Sequence, residues 1–164
     1  MKSTDRLLIG IVAGVVVLVA AGFAVALLRP EPAYKPDDTP EGVTHNYLLA
    51  LRLGDLDRAY GYLSPTLPGY PPLASSFERD VRNNDYIFGQ DETSALEVVS
   101  SQISGSHATV SVRKTTFNQG GLFESSEYSR TFEVELKRDA SSNAWKLIEA
   151  DAFWLLCWTN GRGC

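Results

Sequence analysis

From Leu7 to Leu28 the chain is apolar without interruption, LLIGIVAGVVVLVAAGFAVALL, with neither charge nor proline. A helix rises about 1.5 Å per residue, so this run would reach roughly 33 Å against a hydrocarbon core of about 30 Å. Arg6 and Arg29 bracket it. The pattern predicts a leader over 1–6 and a transmembrane helix over 7–28, with the lipid bilayer as its partner. Gly10 and Gly14 have the small-xxx-small spacing that lets another helix approach closely. A cleaved signal peptide competes, because Ala24-Val25-Ala26 fits a small-x-small cleavage site, but the run exceeds the roughly 7 to 15 residues of a signal core. Both readings export the C-terminal remainder of the chain. Lys2, Arg6 and the terminal amine on the leader, against Arg29 and Lys35 among Glu31, Asp37, Asp38 and Glu41 beyond the run, are a modest bias that favours a cytoplasmic N-terminus and a domain outside the cell membrane.

The proline-rich stretch PEPAYKPDDTP, residues 30–40, has no apolar periodicity and reads as an extended stalk, bounded at 29–38, before a domain over 39–164. Helical periodicity begins beyond it. Thr39 suits a cap, Pro40 the first helical position and Glu41 the positive end of the dipole. Val43, Tyr47, Ala50 and Leu51 then recur at helical spacing until Gly54. Asp55 caps a second helix with the stripe Leu56, Ala59, Tyr60 and Leu63. Ser75-x-x-Glu78 reads as a capping box for a third, over 77–83.

The second half alternates with period two. Leu96, Val98 and Ser100 oppose Glu97, Val99 and Ser101; Ala108, Val110 and Val112 alternate with polar neighbours. So do Tyr128, Arg130, Phe132, Val134 and Leu136. Trp145, Leu147 and the run from Ala152 to Trp158 complete a fourth strand. Helices first and strands after predict an α+β domain, about three helices on a curved antiparallel sheet of four or more strands with one wet face.

Composition narrows the function classes. Fifteen basic against twenty acidic residues, net −5, exclude a generally basic nucleic-acid binder. Residues 30–164 hold all but three of the basic and all but one of the acidic side chains. Arg113 and Lys114 read as an isolated basic pair. The two cysteines exclude a disulfide-dense scaffold and a four-cysteine zinc site. Gly120-Gly121 lacks the Lys-Ser/Thr of a phosphate loop, and Ser64, Ser75 and Ser76 lack a nucleophile-elbow context. His45 and His107 are not spaced for a shared metal, so no metal or other cofactor is expected.

The segment TPEGVTHNYLLALRLGDLDRAYGYLSP, and the strand Ala144-Trp145-Lys146-Leu147 near the end, resemble the nuclear transport factor 2-like superfamily, and within it the exported, membrane-anchored bacterial members. The resemblance implies a cone in which a curled sheet encloses a cavity. It does not imply an activity, since such a fold hosts enzymes and inert interaction modules alike.

Within such a cone the ligand-pocket candidates are Arg130, Glu149, Asp151 and Tyr47. Arg130 lies on the apolar stripe of its strand, where it would anchor an anion or a carboxylate. Glu149 and Asp151 share parity with Trp145, Leu147 and Phe153. Structural ion pairing competes for all three charges, and one bulge would turn both acids outward. Tyr47 is placed to aim a hydroxyl into a cavity; core packing competes. Trp154 and Trp158 fall on one strand face, Trp154 covered and Trp158 partly exposed, which makes the aromatic run either the strand that closes the core or a surface for a membrane-protein partner or a second copy. Cys157 and Cys164 flank Asn160-Gly161, a tight-turn signal, and are expected to form an intramolecular disulfide in an exported domain. Two free thiols or a bridge to another chain are the alternatives. The expected function is a non-catalytic binding or assembly module, as an accessory part of a membrane complex; the alternative is an exported small-ligand binder or enzyme using the cavity.

Overall fold

The computed structural model describes residues 3–27, 32–89, 93–120 and 124–162. The chain divides into two units, Met1–Ala33 and Tyr34–Cys164.

The first unit holds α1, Ser3–Leu27. Its described side chains, at 9–24, are apolar and exposed on every side, Ile9, Val12, Val16 and Phe23 among them. Gly10 and Gly14 have open space where a Cβ would stand. Among the described residues no helix is long and apolar enough to cross a membrane. A span over 7–28 is therefore a proposal.

In the second unit, α2 (Pro40–Leu53) begins where the caps predict. Thr39 is extended and its hydroxyl accepts from the Gly42 amide; Gly54 closes the helix with φ 70°, a left-handed conformation that suits glycine. Asp55 caps α3 (Leu56–Gly61) by accepting from the Arg58 amide. The third predicted helix forms as α4 (Ala74–Asn83), one turn earlier than the serine pattern suggests. Its N-cap is Leu73, without a side-chain bond, so Ser75 lies inside the helix. A short α5 (Asp85–Phe88) comes next, which the periodicity does not announce.

The strands β1 (Ser94–Ser104), β2 (His107–Gly120), β3 (Glu124–Arg138) and β4 (Trp145–Ala150) form one antiparallel sheet in the order β1-β2-β3-β4. Helices cover one face. Val43, Tyr47 and Ala50 of α2, Ala59 of α3 and Phe77 of α4 share a core with Val110, Val112, Phe132, Val134, Leu136 and Leu147. The chain after α3 then returns to the open edge of β4. Ser64 donates to the Leu147 carbonyl at 2.8 Å and Leu147 to the Tyr62 carbonyl at 2.9 Å, which protects that edge from foreign strands.

Two register shifts depart from strict alternation. One lies between Val98 and Ser100, so Val99 is extra and Ser101, expected outward, pairs with buried Val110. The other lies opposite Glu135/Leu136, where Ile148 is extra. The fourth strand also ends early. After Ala150 the chain turns through Phe153, at φ 57°, and forms α6 (Leu156–Asn160) where a continued strand to Trp158 was expected.

Residues 34–37, expected to be plain stalk, belong to the domain. Asn46 on α2 is fully buried and clamps this strap: its side-chain oxygen accepts from the Lys35 amide at 2.7 Å, and its side-chain nitrogen donates to the Lys35 carbonyl and the Asp37 carboxylate, both at 2.6 Å. The Arg58 guanidinium lies 3.5 Å from the centre of the Tyr34 ring.

Candidate functional site

Large side chains pack between the helices and the sheet. The Tyr47 ring, wholly buried, sends its hydroxyl to the Phe153 carbonyl at 2.7 Å. Desolvation raises the pKa of that phenol far above the ordinary tyrosine range. Phe153 packs against Phe132, ring centres 5.8 Å apart. Trp158 meets Phe77, Phe88 and Trp154 at 5.2, 5.7 and 5.1 Å, and its indole N–H donates to Asp80 at 3.3 Å.

This packing answers for several sequence expectations. Tyr47 does point inward, but its hydroxyl is engaged by backbone rather than free for a ligand. Trp154 and Trp158 are both buried, at 5% and 0% exposure, so the expectation of a partly exposed Trp158 is corrected. The break at Phe153 causes it: the chain turns there, and α6 carries the Trp158 indole inward instead of leaving it on a lengthening strand. Glu149 and Asp151 are exposed on the side away from the helices, because the extra Ile148 reverses their parity and brings Ala150 inward. Asp151 caps the sheet edge instead, its carboxylate accepting from the Glu133 amide at 3.0 Å. The structure therefore does not gather Arg130, Glu149, Asp151 and Tyr47 into one pocket.

Arg130 keeps its predicted parity. It shares the helix-facing side with buried Phe132 and Val134, but lies where the helices no longer cover the sheet, and is exposed. Directly opposite on β2 stands Lys114, half-buried, with its ammonium 5.6 Å from the centre of the Phe153 ring. Lys114 is therefore not part of an isolated basic pair with Arg113. The overlooked signal is parity: Lys114 is two residues beyond Val112 and must share its face.

A concavity of about 340 Å³ lies between the strap, α3 and β4. Asp37, Arg58, Tyr62, Trp145 and Lys146 line it. Arg58 donates from Nε to the Tyr62 hydroxyl at 3.0 Å, and Tyr62 donates to Asp37 at 3.0 Å. Burial raises the Tyr62 pKa, against the hydrogen bond from Arg58. Lys146 reaches the Gly61 carbonyl, and the Arg138 guanidinium lies 4.7 Å from the centre of the Trp145 ring. Arg58, Tyr62 and Asp37 satisfy one another, whereas the buried Trp145 indole N–H has no hydrogen-bond partner among the described residues. The strap side chains were missed because a proline-rich composition describes backbone stiffness and is silent on what Tyr34 and Asp37 bind.

Among the described residues no group of His, Cys, Asp and Glu could hold a metal ion. His107 is exposed, 3.4 Å from the Ser106 hydroxyl. No bridge between two described residues is seen, and the described Cys157 is not a free thiol. Its expected partner, Cys164, lies outside the described residues.

No protein-family model and no curated protein matches the chain. Among solved structures it is similar to a SEC-C motif containing protein from Rhodopseudomonas palustris, with 21% identity over 72% of this chain and 81% of that one, at a TM-score of 0.48. It is also similar to a protein from Thiobacillus denitrificans assigned as a calcium/calmodulin-dependent protein kinase type II association domain, with 14% identity over 70% and 93% of the two chains and a TM-score of 0.49. A third similar structure is an NTF2-like protein with a cystatin-like fold from Novosphingobium aromaticivorans, with 10% identity over 68% and 77% and a TM-score of 0.46.

Proposed function

We propose that this chain is a single-pass protein, anchored by residues 7–28, whose exported nuclear transport factor 2-like domain is a non-catalytic binding or assembly module. The observation that carries the module reading is the core packing of Tyr47, Phe132, Phe153, Trp154 and Trp158, with the Tyr47 hydroxyl spent on the Phe153 carbonyl rather than free for chemistry. The anchor reading is supported by the uniformly apolar and exposed described stretch of α1, a pattern that water does not favour. Its orientation is supported by Lys2 and Arg6 on the leader.

A second reading, an exported small-ligand binder, is favoured by one observation: the open end of the helix-facing sheet presents Lys114 and Arg130 opposite each other. In either reading Cys157 and Cys164 bridge intramolecularly, which suits an oxidising compartment.

Three measurements test the proposal. A reporter that works only outside the cytoplasm, fused after residue 40, should be active; a silent one overturns the export reading. Mild-detergent purification should bring down a stoichiometric membrane partner or a second copy, and a monomer alone overturns the assembly role. Non-reducing intact mass should fall two units below the reduced chain; two alkylatable thiols exclude the bridge, and a doubled mass assigns it between chains.

A further inference from the structure

Lys114 on β2 and Arg130 on β3 are direct cross-strand partners. The next pair inward, Val112 and Phe132, is buried at 0% and 3% exposure, so period-two alternation puts both cations on the helix-facing side. The next pair outward is Thr116 and Tyr128, and Leu96 of β1 faces Lys114 from the other side. Like charges placed directly opposite destabilise a sheet. Among the described residues neither cation has an ion-pair or hydrogen-bond partner, and no strand position with a described side chain on this face is a carboxylate. The pair is thus a local concentration of positive charge in a chain of net charge −5. Its surroundings are not plain solvent. Phe153 lies beneath the Lys114 ammonium, Leu96 is half-buried beside it, and Tyr128 is 63% exposed at the rim.

We propose that Lys114 and Arg130 form a binding site for a small organic anion, a phosphate or carboxylate head on an apolar body. The head sits between the ammonium and the guanidinium, which offers it charge-assisted and bidentate hydrogen bonds. The apolar body lies against Leu96 and Tyr128, while Phe153 backs the Lys114 ammonium from within the core. Bound anion cancels the repulsion across the two strands, so ligand binding and sheet stability are coupled. The site deepens the small-ligand reading and is independent of the anchor: a silent topology reporter leaves it untouched, and its own failure leaves the anchor standing.

The test uses the full chain in neutral detergent, with phenyl phosphate and inorganic phosphate as probes and sodium chloride at matched ionic strength as the control. Phenyl phosphate should bind saturably, more tightly than inorganic phosphate, and raise the melting temperature above the chloride control. Arg130→Gln should weaken binding by about tenfold and, without ligand, melt no lower than the parent because the repulsion is gone. Lys114→Met should do the same to binding. Lys137→Gln, which changes the same net charge at an exposed position of opposite parity, should leave binding unaltered. Should Lys114→Met not fold, Arg130→Gln and Lys137→Gln decide by themselves, since both positions are exposed. A rise no larger than that given by chloride overturns the site, as does an Arg130→Gln affinity within about twofold of the parent. Phosphatidylglycerol doped into the micelles separates the sources. A response to it that Arg130→Gln abolishes, with none to phenyl phosphate, overturns the small soluble ligand in favour of a lipid headgroup.

Discussion

The Tyr47 hydroxyl donates to the Phe153 carbonyl across 2.7 Å inside the core, and Phe153 itself has φ 57°. A bulky residue in the left-handed region carries steric strain of roughly 1–3 kcal/mol. The carbonyl it turns inward would be an unsatisfied buried acceptor without the phenol. One side chain on the first helix of the domain thus fixes the point at which the sheet stops and the C-terminal aromatic segment folds back.

Removing that hydroxyl should be costly for its size. Tyr47→Phe keeps the ring and leaves the Phe153 carbonyl buried and unpaired, a loss of about 1–3 kcal/mol in urea unfolding at neutral pH. The pH dependence has a definite sign. Desolvation raises the Tyr47 pKa in the folded state, while the unfolded phenol titrates near pH ~10. The folded state therefore holds its proton where the unfolded state loses it, so stability is fully present below about pH 10 and falls as pH rises beyond it. Burial acts likewise on Tyr62 and, as its largest cause, on Tyr70. Tyr47→Phe should flatten this alkaline decline without abolishing it; an unchanged slope would remove Tyr47 as its source.

The strap makes a second prediction. Asn46→Ala deletes three hydrogen bonds that hold Lys35 and Asp37. At about 1 kcal/mol per bond, the loss should be roughly 2–4 kcal/mol. The local readout is amide hydrogen exchange at Lys35, which should accelerate more than the global loss of stability alone requires. Exchange at Lys35 already as fast in the parent as in a free peptide would mean that residues 34–37 are ordinary stalk.

What the sequence makes legible here is periodic or capped. Thr39, Pro40 and Gly54 mark both ends of α2 because each answers a backbone need of a helix terminus, and Phe132, Val134 and Leu136 declare their face because a buried sheet face demands every second residue. Ile148 and Val99 escape because one inserted residue reverses parity without altering composition, and that alone moves Glu149 and Asp151 out of the expected pocket. The turn at Phe153 escapes for another reason. Neither a glycine nor a proline marks it, and the conformation depends on Tyr47, 106 positions away in sequence. Arg130 was legible by parity, and so was the face of Lys114, two residues beyond Val112; that the two stand opposite each other required the β2–β3 register, which alternation within a single strand does not supply.

Trp158 tests whether the aromatic segment is core or surface. Trp158→Ser removes contacts to Phe77, Phe88 and Trp154 and the bond to Asp80. Large-to-small changes of this kind cost about 3–5 kcal/mol. Urea unfolding should show that loss, while any protein that co-purifies with the folded fraction should be retained. Full stability with a lost partner would return Trp158 to an interaction surface.

Two glycines should respond oppositely to the same methyl group. At Gly69 a Cβ would stand 2.0 Å from the Cys157 carbonyl oxygen and 3.0 Å from the Trp158 Cα, both backbone atoms that cannot swing aside. The Gly69 amide also donates to the Trp158 carbonyl at 2.9 Å, tying the proline-rich loop after α3 to α6. Gly69→Ala must push these two segments apart, breaking that bond and lifting Trp158 from its seat. Overpacking typically costs about 1–3 kcal/mol, and the lost hydrogen bond adds about 1. At Gly61, the last residue of α3, nothing lies within 4 Å of the added atom. Gly61→Ala should therefore stabilise the domain by up to about 1 kcal/mol, through helix propensity and a less entropic unfolded chain. Paired thermal melts of the two variants measure the difference directly, and equal shifts in the same direction would contradict the close approach of α6 to Gly69.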